Sequence, residues 1–348
     1  MKRVLFVCKN RVSTYGISYG LHNSAAFVAQ ALDRSGIEAK VVSVGDNNDI
    51  DRVVTEYDPT HVVIEAIWVV PSKIQELIKM RSHRRRGWVV RLHSRVPFLA
   101  MEGIAIDWLR EYKKIASGPG HFRVAANHLQ TCDDIAKVLE TNCLYQPNIY
   151  PIAQRPRWDR VREVVTERRH RRDVLDIGCF GAIRPLKNTL IQAFAAIEFA
   201  DRMGMPLRFH INGGRTEQQG EQNLKNLRAL FPIRDHELVE HPWIPHREFV
   251  DLVRAMDMGL QVSFSETFNI VAADFVSQDI PIVASPEIEF VSSLFQAHPT
   301  NTLDIVSKLE RAWTGRSLSL QSLNRRLLGR HNLDAMQAWL DSLEIASR

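Results

Sequence analysis

The sequence predicts an α/β protein built as two doubly wound domains. Three observations lead there. Strand-like and helix-like segments alternate along the chain, an arginine-rich stretch interrupts that alternation once, and a length of 348 residues suits two cores of roughly 150 residues each. The expected boundaries are 1–152 for the first Rossmann-like domain and 153–330 for the second, with 331–348 a terminal helix that packs back on the first.

The elements follow in order. Residues 3–8 are an apolar run of strand length, 24–35 has helical spacing and 39–44 is a second strand, which together make a βαβ opening. A strand at 60–66 precedes a helix at 72–81, and 87–93 is a buried strand ending on His93. A helix at 132–140 and a short strand at 143–145 close the half near Gln146-Pro147-Asn148. Residues 155–172 hold eight arginines in eighteen positions, and this charge run marks the boundary. The second series runs strand 174–179, helix 188–203, strand 207–212, helix 219–230, strand 237–240, helix 246–256, strand 259–263, helix 270–277 and strand 281–284, with a helical tail from 302. Ligands of doubly wound sheets bind beyond the carboxyl ends of the strands, so function is expected on those loops, in a cleft where the strand ends of the two halves face each other.

Composition narrows the class. Hydrophobic content of 45% and charged content of 24% are ordinary globular values, which argues against disorder or a fibre. No apolar run approaches the roughly 20 residues of a spanning helix, since 62–70 is short and carries Glu65. The apolar part after Met1-Lys2-Arg3 is too short for a signal peptide, so the expected location is the cytoplasm. Cys8, Cys132, Cys143 and Cys179 form no CxxC pair, and buried reduced thiols are expected. A net charge of +5 conceals 34 arginines against 11 lysines. The guanidinium fork grips phosphate bidentately, which suits a phosphate-rich partner, although a GC-rich coding genome explains the same bias.

The richest stretch is Ser263-Phe264-Ser265-Glu266-Thr267-Phe268-Asn269-Ile270, followed by Asp274 and by Asp279-Ile280-Pro281. A strand ends there, an acid appears and a helix begins. A helix start offers unpaired N–H groups and a partial positive charge, which suits a diphosphate. Glu266 lies just before that start and Asp274 about two turns along, so the two carboxylates address different parts of one elongated ligand. Helix capping and a solvated helix face are the plain alternative.

This segment resembles the Glu-x7-Glu signature of family 4 retaining glycosyltransferases. The resemblance implies the GT-B fold and a metal-independent transfer of a sugar from a nucleotide diphosphate with retention of configuration. It implies a nucleotide sugar, UDP-sugar first, as co-substrate and no bound cofactor. Glu266 would contact the donor sugar, Asp274 the ribose hydroxyls, and the backbone of Thr267, Phe268, Asn269 and Ile270 the phosphates. Three positions depart from the pattern: Asp274 replaces Glu, Asn269 stands where Gly is usual, and Asp279 replaces the Gly before Pro281.

Upstream, Phe180-Gly181-Ala182-Ile183-Arg184-Pro185-Leu186-Lys187 opens a helix and resembles the Gly-Arg-x-x-x-Lys loop of the same family. A leaving diphosphate gains negative charge, so cations fixed there stabilise the transition state more than the ground state. Arg184 and Lys187 are expected to do so. An R-x-x-K alone is common on surface helices, and its place before the helix is what makes it informative. His93 occupies the position where the family often places a histidine beside the donor sugar, and a strand-end histidine satisfied by backbone is the alternative. Gly16 and Gly20 fall in the first cleft loop, Gly213 with Gly214 corresponds to a cleft-facing Gly loop, and Trp243 with Ile244 to the loop near the nucleobase. Asp49-Ile50-Asp51 formally makes a DxD metal signature, which helix capping explains more simply.

The acceptor is expected on the first half. Lys9, Arg11, Arg81, Arg84, Arg85, Arg86, Arg91 and Arg95, with 155–172, suggest a polyanion. The acid segment is also similar to bacteriophage-encoded enzymes that glycosylate hydroxymethylated pyrimidines, which makes DNA with hydroxymethylated bases one expected acceptor. An envelope lipid or polysaccharide at an anionic membrane is the other, with solvated charge the plain alternative. A nucleotide-sugar epimerase and a non-catalytic nucleic-acid-binding protein are the remaining classes.

Overall fold

The computed structural model describes residues 2–10, 19–118, 120–152, 174–232 and 234–346. The 155–172 arginine run, Arg11 and Gly16 lie outside the described residues. Two compact units form: Met1–Tyr150 with Glu266–Phe268 and Arg330–Arg348, and Pro151–Ser265 with Asn269–Gly329.

The first unit holds β1 (Arg3–Lys9), β2 (Glu38–Val44), β3 (His61–Glu65), β4 (Gly87–Leu92), β5 (Phe122–Ala126) and β6 (Cys143–Tyr145). Their spatial order is β2-β1-β3-β4-β5-β6 and every pairing is parallel. Every residue of β3 and β4 is buried, as expected of central strands covered on both faces. Successive side chains of β1 enter different cores. Leu5 and Val7 pack with Ile50, Val54, Ile74, Leu77, Leu109 and Tyr112 from the helices Asp49–Tyr57, Pro71–Lys79 and Ala105–Ala116. Val4 and Phe6 pack with Val28 and Leu32 of the helix Tyr19–Arg34 and with Trp339 and Leu343 of the last helix, Ser322–Ala346. Trp339 sits edge-on to Phe6 at 5.6 Å and donates its indole N–H to the Pro147 carbonyl at 2.8 Å. The tail is thereby fixed to the first unit by both apolar and polar contacts.

The second unit holds β7 (Leu175–Gly178), β8 (Leu207–Ile211), β9 (Glu237–Glu240), β10 (Met258–Gln261) and β11 (Ile282–Ala284), again all parallel, in the order β11-β10-β7-β8-β9. Helices Thr189–Met203, Gly220–Leu230, His246–Arg254, Ile270–Ser277 and Thr302–Gly315 accompany it.

Elements beyond the sequence expectation include the helix Ala105–Ala116, the short helix Val96–Leu99 and the strand β5. Phe122-Arg123-Val124-Ala125-Ala126 has modest strand propensity, and pairing with β4 on one side and β6 on the other makes it a strand. Asp49 and Asp51 lie in the first turn of their helix. Asp49 accepts the Gly45 N–H at 3.0 Å and Asp51 pairs with His83 at 2.7 Å. All four cysteines are free, and burial pushes the Cys179 thiol up to about 12. Among the described residues no helix is long and apolar enough to cross a membrane.

Candidate functional site

In the second unit the loop after β7 carries Gly181 at φ 120, a backbone angle open to glycine, and the Gly181 N–H donates to Asn212 Oδ1 at 2.9 Å. A 3-10 turn at Pro185–Lys187 then folds Lys187 back over the loop, placing its ammonium nitrogen 3.9 Å from where a Cβ on Gly181 would sit. Arg184 pairs with Glu217 at 3.5 Å. Glu217 also accepts from Arg215 Nε at 2.8 Å, and the Arg215 guanidinium lies 4.7 Å over the Trp243 ring. One polar chain therefore links the loops that follow β7, β8 and β9. Backbone bonds reinforce it, from Ile183 N–H to Arg215 O and from Glu217 N–H to Ile183 O, both at 2.9 Å. A Cβ on Gly213 would fall 2.1 Å from the Glu240 carboxylate, which Arg228 holds at 2.6 Å, so any larger residue there would have to displace that ion pair.

The acid segment follows β10 and is tied to the same loops by three buried amides. Asn188 donates to the carbonyls of Val262 at 3.0 Å and Pro299 at 2.7 Å. Gln192 donates to Lys187 O at 2.8 Å and accepts the Val262 N–H at 2.7 Å. Gln261 donates to Phe180 O at 2.9 Å and accepts from Asn269 Nδ2 at 2.8 Å. Asn269 has φ 62 and its Oδ1 accepts the Ala272 N–H at 2.9 Å, making it the N-cap of the helix Ile270–Ser277. After glycine, asparagine is among the residues that best tolerate this left-handed region, which accounts for Asn269 in a glycine position. Asp279, the other acid in a glycine position, has φ 58. Ile270 and Val271 form the first turn, where amides lack intrahelical partners.

Asp274 lies four residues after Ile270, one turn along rather than two, because 266–269 are not helical. Its side chain is only 1% exposed, and Oδ1 accepts from His246 Nε2 at 2.6 Å. Burial disfavours the charged imidazole, but the hydrogen bond and the charge of Asp274 outweigh it, so the His246 pKa is raised above its ordinary value. A raised histidine pKa stabilises the fold fully below the unfolded value, about 6.5, and the contribution is lost as pH rises through the folded pKa. Urea unfolding of wild type and His246→Gln from about pH 5 to about pH 9 should show a stability gap that is wide in acid and narrows in alkali. A gap independent of pH would contradict the pairing.

The first unit builds a buried polar cluster where β3, β4 and β5 end. Glu65 and Arg91 are register partners, and both side chains are fully buried. Arg91 Nη1 donates to the two Glu65 oxygens at 3.1 and 3.0 Å, its Nε to Gln146 O at 2.7 Å, and its Nη2 to Asn148 Oδ1. His93 Nε2 is hydrogen-bonded to Glu65, and the Asn127 amide donates to His93 Nδ1 at 3.4 Å. Burial first, then the Arg91 charge, lower the His93 pKa against the pull of Glu65, so the imidazole is neutral with its proton on Nε2. Burial would raise the Glu65 carboxyl, but Arg91 and His93 hold it below its usual range. Asn127 also donates to Thr267 Oγ1 at 3.0 Å, and Thr267 Oγ1 donates to His93 O at 3.3 Å. Beside it Glu266 is 8% exposed, and the buried Phe268 ring lies 5.2 Å from the His331 ring.

Arg91 thus leaves the expected basic surface. It sits on a central strand whose both faces are covered, and its charge is matched by Glu65. Arg81, Arg84 and Arg85 are exposed, whereas Arg86 is bound to Asp58 at 2.9 Å.

No protein-family model and no curated protein matches the sequence. Solved structures match in shape along the whole chain. A glycosyltransferase from Rickettsia africae ESF-5 is similar with a TM-score of 0.64 at 12% identity, over 99% of this chain and 98% of that one. HepE from Anabaena, solved with UDP and glucose, is similar with a TM-score of 0.65 at 15% identity, over 99% and 100%. A UDP-forming α,α-trehalose-phosphate synthase from Burkholderia xenovorans gives 0.65 at 12% identity, over 100% and 99%. The fold is GT-B.

Within the GT-B fold, the second unit gathers Gly181, Arg184, Lys187, Gly213, Trp243, Ile244, Asn269, Ile270 and Asp274 on and just after the loops at the carboxyl ends of β7 to β10. The first unit gathers His93 and Thr267, with Glu266 and Phe268 adjacent in the chain. Gly20 stands in the first turn of the helix Tyr19–Arg34, and a Cβ there would meet nothing within 4 Å. Sequence reasoning missed Glu65, Asn127, Gln192, Glu217, His246 and Gln261. Glu65 carried a signal, an acid inside the apolar run 62–70, and so did His246, directly after Trp243-Ile244-Pro245. The amides carried none, because a lone Gln or Asn has no characteristic spacing.

Proposed function

We propose that this chain is a glycosyltransferase that moves a sugar from a nucleotide diphosphate, UDP-sugar first, to an acceptor hydroxyl with retention of configuration. The observation that carries the reading is the second-unit arrangement in which Lys187 covers Gly181 while Gln261 ties that loop to the N-capped start of the helix Ile270–Ser277. Cation and helix start are the two features that neutralise a leaving diphosphate. HepE, of the same fold, was solved with UDP and glucose, which supports UDP as the nucleotide. The acceptor hydroxyl attacks the anomeric carbon on the face from which the diphosphate departs, and a phosphate oxygen takes its proton. Arg184 and Lys187 hold the leaving group, Glu266 orients the sugar, Asp274 serves the ribose and Trp243 with Ile244 the base.

The preferred acceptor is a 5-hydroxymethylpyrimidine in DNA, favoured by the exposed Arg81, Arg84 and Arg85. A second reading, a lipid-borne acceptor, is favoured by the exposed Val96, Met101, Ile104 and Ile106 soon after His93. The test is incubation with UDP-glucose and other nucleotide sugars, alone, with hydroxymethylated DNA, or with lipid vesicles, reading nucleotide release and acceptor mass. Release with DNA and a mass gain on the base supports the first reading, and release with vesicles the second. Isomerised donor without release indicates an epimerase, and no turnover of any kind contradicts the proposal. Glu266→Ala is expected to reduce transfer to background with the melting temperature kept, and near-normal turnover would remove Glu266 from the site.

A further inference from the structure

Gln261 is 2% exposed at the carboxyl end of β10, where a strand covered on both faces ordinarily carries an apolar side chain. Asn269 is 7% exposed and stands in the left-handed region, where glycine would serve the backbone equally well. The two side chains bond to each other at 2.8 Å, and each uses its other end on a different element. Gln261 Nε2 donates to the carbonyl of Phe180, the residue before Gly181, at 2.9 Å. Asn269 Oδ1 accepts the Ala272 N–H at 2.9 Å. A continuous chain of directed hydrogen bonds therefore runs from the loop bearing Gly181, Arg184 and Lys187 to the first turn of the helix Ile270–Ser277. Each bond requires the next: Asn269 can cap with Oδ1 and donate with Nδ2 in one amide orientation only, and Gln261 is oriented in turn by Phe180 O.

We propose that Gln261 and Asn269 are a coupled positioning pair that holds the cationic loop and the helix start in one fixed register, so that the diphosphate of a nucleoside diphosphate meets both at once. The inference rests on the proposed glycosyltransferase reading and adds to it which residues set the geometry of the diphosphate site. Neither side chain needs to touch the ligand. Their effect is pre-organisation, which acts on affinity by removing the cost of ordering two loops at the moment of binding.

The test is a double-variant cycle of Gln261→Leu and Asn269→Gly, read by calorimetric titration with UDP and by melting of the protein without ligand. Glycine suits φ 62 at position 269, and leucine suits a buried strand end, so both variants are expected to fold. Each single variant should weaken UDP binding by about tenfold, and the double variant by about the same tenfold rather than about a hundredfold, because the second change breaks a chain already broken. The donor KM should rise in parallel, and kcat should fall with it, because the loop that shifts also carries Lys187. A lowered melting temperature with unchanged UDP affinity shows a purely structural role and overturns the inference, as do multiplicative effects. If wild type binds UDP and the variants bind it equally, this inference fails alone. If wild type binds no UDP, the functional reading fails and takes the inference with it.

Discussion

Replacing Lys187 by alanine is expected to lower the rate of sugar transfer by about 10²–10³-fold while leaving the melting temperature within error of wild type. The size follows from what the residue does in the proposed reaction. As the glycosidic bond breaks, negative charge accumulates on the departing diphosphate, and a fixed ammonium attracts that charge more strongly in the transition state than in the ground state. Lys187 is fixed by its own turn: its backbone N–H bonds Arg184 O at 3.0 Å, its carbonyl accepts from Gln192, and its ammonium group lies against Gly181. The side chain tip supports no core, so stability should not fall. Single-turnover rates with UDP-glucose check the prediction, and a loss under about threefold would remove Lys187 from the leaving-group site.

The second large effect is on stability. Glu65→Leu is expected to destabilise the protein by about 3–5 kcal/mol, because it leaves the fully buried Arg91 charge without its carboxylate. Gln146 O and Asn148 Oδ1, which still accept from Arg91, are neutral and do not compensate its charge. His93 Nε2 would lose its bond to Glu65 at the same time. Replacing both members, Glu65→Leu with Arg91→Met, should recover much of the loss, since an apolar pair of similar volume needs no charge compensation. Denaturant unfolding measures both. A loss below about 1 kcal/mol for the single change would show that water or another group already screens Arg91.

How far the sequence reveals this molecule depends on which force shapes each part. The parallel sheets were legible because central strands buried on both faces must be continuously apolar, as Val4-Leu5-Phe6-Val7 and Trp88-Val89-Val90 are. The strand β5 was not, since Arg123 and two alanines give a weak local signal and neighbours on both sides supply the pairing. Order and spacing around a helix start point to Lys187 and Asn269, and the structure puts Lys187 against Gly181 and Asn269 at the helix N-cap. Asp274 lies one turn into its helix where spacing from Glu266 suggests two, because the four residues 266–269 are not helical and Asn269 at φ 62 begins the helix later. Arg91 was grouped with surface cations because charge is read from a sequence more readily than burial. Its partner, Glu65, lies 26 residues away, and only the β3–β4 register brings them together. The amide stitches of Gln192 and Gln261 are likewise products of tertiary contact.

The most direct measurement is a crystal structure of the protein with UDP-glucose. The diphosphate should lie against the loop from Gly181 to Lys187, with phosphate oxygens within hydrogen-bonding reach, about 3 Å, of Lys187 Nζ and of the amides of Ile270 and Val271. Electron density for the diphosphate on any other loops, with Lys187 left out of contact, would contradict it.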